Sequence, residues 1–203
     1  MIWVTLKALA EKIILLKQEC DEGNNFMLMT NYYNISKTYK DLGGNENLQK
    51  ALEYQLKALE IEEDENNLDT ASSYNNLASI YKDLGGEKNL LKAFKYQNRD
   101  IEIQQKANEL DDVRLATSYN DISIIYQDLG GNENLSKALE HQIKANDIYC
   151  KSLGDKHRYL ATGYGNLATL YYKLGGSENV DKALKLQKES IEMQEELLDE
   201  NHT

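Results

Sequence analysis

Ser73-Tyr-Asn-Asn-Leu-Ala-Ser-Ile-Tyr-Lys-Asp-Leu-Gly-Gly86 recurs with variations at Asn31 to Gly44, Ser118 to Gly131 and Gly163 to Gly176. The glycine pairs open at Gly43, Gly85, Gly130 and Gly175, at spacings of 42, 45 and 45 residues. That period belongs to solenoids or propellers. Apolar or small residues fall at i, i+3, i+4 and i+7: Tyr32, Ile35, Ser36 and Tyr39 in the first copy, Tyr74, Leu77, Ala78 and Tyr81 in the second. Tyr119, Ile122, Ser123 and Tyr126 continue it, then Tyr164, Leu167, Ala168 and Tyr171. This is one stripe of an α-helix and not the alternation of a strand.

After each Gly-Gly a second stripe begins, Leu48-Ala51-Leu52-Gln55, repeated around Ala93, Ala138 and Ala183. Each repeat is therefore two helices. The first glycine of each pair is expected to supply a left-handed C-cap, and Asn47, Asn89, Asn134 and Asn179 to N-cap the second helix. The Gly-Gly-Asn-Glu-Asn segment reads as one long turn. Alanine at the contact allows close helix approach, so that tyrosines slot between the helices. The glutamine column Gln55, Gln97, Gln142 and Gln187 either hydrogen-bonds a neighbouring tyrosine or backbone, or lies on a groove floor.

The 203 residues show no break in composition, and 41% hydrophobic with 28% charged residues is the chemistry of one soluble unit with a real core. No uncharged apolar run is long enough to cross a bilayer, so no membrane partner is expected. The stretch Met1 to Leu16 is interrupted by Lys7, Glu11 and Lys12 and reads as an amphipathic helix, not a secretory signal. Cys20 and Cys150 match no disulfide or metal spacing, which suits a reducing compartment, the cytoplasm. Cys150 is either a buried small hydrophobe or a reactive thiol. A net charge of −11 without a basic patch argues against nucleic acid as a partner.

Tyr-x-x-Leu-Ala-x-x-Tyr, then Gly, then Leu-x-x-Ala-Leu, then Ala58 and Ala145, resembles the tetratricopeptide pattern over nearly the whole chain. The longer period, Tyr-Asn-Asn-Leu-Ala, Lys-Ala-Leu-Glu-Tyr and Leu-Glu-Ile-Glu-Glu are most similar to the long-helix variant of kinesin light chains and bacterial arrays. Two departures stand out: the chain has no proline, and glutamine occupies a column where the family more often has an aromatic. The resemblance implies an all-α, right-handed superhelical solenoid of antiparallel helix hairpins. Residues 1–25 read as an N-terminal helix, half of a preceding or capping repeat. Repeats follow at 26–67, 68–110, 111–155 and 156–203. Both ends lack a polar capping helix, so a fragment of a longer array, or open ends that meet a neighbour, is expected.

In such a stack the first helices line a concave groove that takes an extended peptide or a partner protein. One polar pair per repeat follows the first stripe tyrosine: Tyr33-Asn34, Asn75-Asn76, Asn120-Asp121 and Gly165-Asn166. Asparagine both donates and accepts, so a spaced series pairs with peptide backbone whatever its side chains, although a structural hydrogen-bonding role is the alternative. By resemblance Asn34, Asn76 and Asn166 stand in the column that clamps ligand backbone, and Asp121 breaks it. One turn further on stand Lys37, Ser79, Ile124 and Thr169, of which only Lys37 suits a terminal-carboxylate clamp, so such a clamp is not expected. Asp41, Asp83 and Asp128 either favour a basic or neutral ligand or are solvated.

No P-loop, dinucleotide fingerprint or nucleophile elbow is present, and His141, His157 and His202 are scattered without metal spacing. The expectation is a scaffold and not an enzyme, with no cofactor and no metal. Two further readings stay open. One is a regulatory segment of a larger signalling protein; the other is an architectural spacer that self-associates through its end helices.

Overall fold

The computed structural model describes residues 25–61, 67–107 and 112–200. Eight helices follow one another: α1 Asn25–Leu42, α2 Asn45–Leu59, α3 Leu68–Leu84, α4 Glu87–Lys106, α5 Asp112–Leu129, α6 Asn132–Leu153, α7 Arg158–Leu174 and α8 Ser177–Glu200. No strand occurs among the described residues. Pairs α1–α2, α3–α4, α5–α6 and α7–α8 are hairpins closed by two glycines, and the all-α solenoid fold expected from the period is present. The helix read over residues 1–25 lies outside the described residues except for Asn25. The chain divides into two compact units, 1–103 and 104–203.

The turn chemistry differs from the expectation in two ways. Gly85 and Gly175 have φ of 64° and 71°, but their ψ values of −179° and −177° are extended, not left-handed helical. Gly44 and Gly131 follow at φ 80° and 81° with ψ 149° and 150°. This corner of backbone space is open essentially to glycine alone. Second, the helix begins directly after the glycine pair, so Asn-Glu-Asn is its first turn and the connection is short. Asn47, Asn89, Asn134 and Asn179 consequently lie inside the helix and do not cap it as acceptors. Each donates its amide to the carbonyl of the first glycine, at 2.8, 2.9, 2.8 and 2.8 Å. The orphan carbonyl at the end of one helix is thus satisfied from the start of the next.

In the first unit Ile35, Tyr39, Ala51 and Ile80 form a buried cluster, with Leu42, Leu52, Tyr54 and Leu84 packed on it. Ile80 and Leu84 of α3 enter the cleft between α1 and α2. Alanine at 51 permits an approach close enough for Ser36 Oγ to donate to the Ala51 carbonyl at 2.8 Å. The same bond recurs in the second unit from Ser123 to Ala138, also at 2.8 Å. There Leu170 and Leu174 of α7 pack with Leu135, Ala138 and Leu139 of α6. A second cluster joins Ala116, Ala145 and Tyr149.

In the first three hairpins the tyrosine pair of the first helix grips one ring from the second. Tyr54 lies 5.9 Å from both Tyr32 and Tyr39, and Tyr96 lies 5.8 and 5.7 Å from Tyr74 and Tyr81. In the third hairpin the gripped ring is His141, 5.8 Å from Tyr119 and 5.7 Å from Tyr126. Burial raises the pKa of Tyr54 and Tyr96 and lowers that of His141, with Lys144 lowering the last further. In the fourth hairpin the corresponding residue is Leu186.

Candidate functional site

In the first unit, Asn34 and Lys37 are exposed on α1, and Asn75 and Asn76 are half-buried on α3. The helical period separates the two asparagines of α3 in role. Asn75 accepts a hydrogen bond from Gln97 Nε2 at 3.1 Å, and so belongs to the internal polar contacts between α3 and α4. Asn76 faces a recess of about 130 Å³, shared with Tyr33, Ser36, Lys37, Asp41, Gln55 and Ile80. Its volume suits the end of a side chain or a stretch of backbone and falls below the range of drug-sized pockets, roughly 300–1,000 Å³.

The floor of this recess answers the question left open for the glutamine column. Gln55, Gln97 and Gln142 are at most 1% exposed, whereas Gln187 is exposed. Gln97 is tied to Asn75 and, at 2.9 Å, to Asp100, and Gln142 donates to Asn146 at 3.1 Å. Gln55 Nε2 has no hydrogen-bond partner among the described residues. A buried amide N–H left unpaired costs about 1–3 kcal/mol, so an acceptor brought to it is strongly favoured. At the rim, Lys37 forms no ion pair and Asn76 no side-chain hydrogen bond among the described residues. Lys40, also on the rim, is held by Ser79 Oγ at 2.6 Å and by Asp83 at 3.7 Å.

In the second unit, Asn166 Nδ2 donates to Asn120 Oδ1 at 2.8 Å, joining α7 to α5. Asp121 is half-buried beside them, and its charge raises the pKa of Tyr149, after burial, which is the larger cause. Tyr149 meets Thr117 through their hydroxyls at 2.9 Å. The asparagines of this unit are thus committed to each other, while Asn76 of the first unit makes no side-chain hydrogen bond among the described residues. Sequence reasoning missed the Tyr54, Tyr96 and His141 column, although each stands eleven residues after its first glycine. His157 lies in the connection before α7 and caps it, its Nδ1 accepting from Tyr159 N at 3.2 Å. Cys150 is exposed.

Among the described residues no cluster of three or more histidine, cysteine or carboxylate side chains is placed to hold a metal ion, and no helix is long and apolar enough to cross a membrane. A tetratricopeptide repeat family model matches residues 115–159 and 160–203. No curated protein matches the chain. Among solved structures, BtubC (BKLC) from P. vanneervenii is 19% identical, covering 96% of this chain and 72% of its own, with a TM-score of 0.70. A putative kinesin light chain from Podosopora anserina with nearly identical TPR-like repeats is 16% identical, covering 94% and 86%, with a TM-score of 0.71. The apo form of RapI is 21% identical and covers 92% and 62%, with a TM-score of 0.68. At these identities the likeness is one of fold. Residues 115–159 and 160–203 match the tetratricopeptide repeat model, and the two hairpins before them are closed by glycine pairs in the same way.

Proposed function

We propose that the chain is a non-catalytic scaffold that holds an extended segment of a partner protein against its first helices, with the recess of the first unit as the anchoring point. The observation that carries this reading is the set of donors around one recess that have no partner among the described residues: the buried Gln55 Nε2 on its floor, and the Asn76 amide and Lys37 ammonium at its rim. These donors call for a carbonyl, which a peptide supplies from its backbone or from an amide side chain, whereas Asp41, which lines the same recess, disfavours an acidic one. Asn34, one turn from Lys37 on α1, extends the polar row for the same segment. Asn75, Asn120 and Asn166 hold the helices in register, a supporting role. Asp121 sits in this internal layer and is not a first choice for ligand contact. A cytoplasmic location fits the sparse cysteines.

The test is retention of a binding partner from host lysate by the wild-type chain and by a Lys37→Ala/Asn76→Ala variant with unchanged melting temperature. Asn166 is left intact because of its bond to Asn120. A partner held by the wild type and lost by the variant supports the recess. Equal retention by both moves binding away from it, and retention by neither rejects the scaffold reading for that lysate.

A further inference from the structure

Gln55, Gln97 and Gln142 hold the same position in three successive hairpins, and their surroundings differ. Gln97 is tied to Asn75 at 3.1 Å and to Asp100 at 2.9 Å, and Gln142 to Asn146 at 3.1 Å. In the first hairpin the residues equivalent to Asn75, Asp100 and Asn146 are Tyr33, Ala58 and Leu59. Ala58 and Leu59 offer no side-chain acceptor, and Tyr33 makes no hydrogen bond to Gln55. Gln104, Gln142 and Asn146 each have one buried polar atom without a partner among the described residues, but each is anchored through its other atom. Gln55 makes no side-chain hydrogen bond at all among them, although it is 1% exposed. The fold buries this amide without using it, and the amide lines a recess.

The charges around the recess cancel. Lys37 is matched by Asp41 on the same helix, and Lys40 by Asp83 of α3 at 3.7 Å. An entering ion would lose its hydration and meet as many like charges as opposite ones. An apolar group would leave the Gln55 amide buried and unpaired. A neutral polar group remains, and the walls state its pattern. Asn76 both donates and accepts, Asp41 accepts, and Ser36 Oγ, whose proton goes to the Ala51 carbonyl at 2.8 Å, keeps lone pairs to accept with. A half-turn of the Gln55 amide exchanges its nitrogen and oxygen, so it meets a ligand as donor or as acceptor.

The ligand group must therefore show a carbonyl and an N–H to one small space. In a trans peptide group these point opposite ways, so backbone offers the recess one or the other. A primary carboxamide carries two N–H groups, one of them on the same side as its carbonyl, and has no charge. We propose that the segment held at this recess is read through a glutamine or asparagine side chain, which enters between α1 and α3, donates to Ser36 Oγ or Asp41 and pairs with the amides of Gln55 and Asn76. This rests on the anchoring role given above to the same recess and adds the chemistry of what it selects.

Random-sequence peptides displayed on phage and selected on the full 203-residue chain are the probes. Those weakened by Lys37→Ala/Asn76→Ala are the recess binders. They are expected to share a glutamine or asparagine whose replacement by glutamate or methionine weakens binding at least about tenfold. Gln55→Leu is expected to weaken the parent peptide as much and the methionine peptide hardly at all. Without peptide, Gln55→Leu is expected to keep or raise the melting temperature, because it removes an unused buried amide, whereas Gln97→Leu is expected to lower it by breaking the bonds to Asn75 and Asp100. Recess binders with no carboxamide in common, a methionine replacement that costs less than about twofold, or a melting temperature that falls with Gln55→Leu as it does with Gln97→Leu would each overturn the carboxamide and leave the recess standing as an anchoring point. Binders indifferent to Lys37→Ala/Asn76→Ala, or no binder at all, would overturn both readings.

Discussion

His141 stands where the first two hairpins place Tyr54 and Tyr96, and a histidine there adds a proton-sensitive member to an otherwise inert stack. Its folded pKa is held below the ordinary 6.5 by burial, and its buried Nδ1 has no partner among the described residues. The unfolded chain therefore takes up the proton first. Stability is complete above about pH 6.5 and declines as pH falls from there through the folded pKa. Thermal unfolding between pH 8 and 5 is expected to show this decline, and His141→Tyr to reduce it. An unchanged slope in the variant would assign the decline to other groups. Gly163 carries a second expectation. A Cβ there would meet Asn146 Oδ1 at 1.9 Å and Cγ at 2.7 Å, and Asn146 is buried and bonded to Gln142. Gly163→Ala is expected to destabilise by about 1–3 kcal/mol. In an Asn146→Ala background the same change is expected to stabilise by up to about 1 kcal/mol through helix propensity. Denaturant titration of the four proteins forms the cycle. Neither role was legible in the sequence. Gly163 makes room for a side chain 17 positions earlier, on the preceding helix.

At the scale of the hairpin most of the architecture could be read. The period separating glycine pairs, the i, i+3, i+4 stripes and the alanines at the helix contact all act locally or between sequence neighbours, and the structure contains all three. The turn was misjudged because asparagine at a helix start is usually an acceptor, whereas here the preceding carbonyl is an orphan and the amide side chain reaches it. Two substitutions separate the contributions. Gly131→Ala is expected to cost about 1–3 kcal/mol by backbone strain alone, since nothing lies within 4 Å of the added Cβ. Asn134→Ala removes the 2.8 Å bond to Gly130 and is expected to cost about 0.5–1.5 kcal/mol. Chemical denaturation midpoints check both, and a neutral Gly131→Ala would mean that the turn relaxes. The candidate site was half legible: the asparagine column was visible, but which of its members are committed to Gln97 or to each other depends on contacts between helices.

For the molecule as a whole, the net charge of −11 is the dominant electrostatic quantity. The ion pairs are chiefly exposed contacts one turn apart on single helices, such as Lys50–Glu46 and Lys144–Glu140, which salt weakens at little loss. Raising ionic strength from a few millimolar to 0.15 M is therefore expected to stabilise the chain, by on the order of 1 kcal/mol or about 2–4 °C. A fall in melting temperature over the same range would show that the pairs outweigh the repulsion. The grip of Tyr119 and Tyr126 on His141 has one more consequence, for spectroscopy. Only three histidines are present, and of the two in the described residues one lies between two aromatic faces and the other starts a helix. His157 lies 5.2 Å from the single ring of Tyr159, so the two histidines sit in different ring currents and their carbon-bound protons should resonate apart. A one-dimensional proton spectrum of the unlabelled protein would then carry separate resonances for a hairpin core and for a helix start, and their loss on heating would show which gives way first.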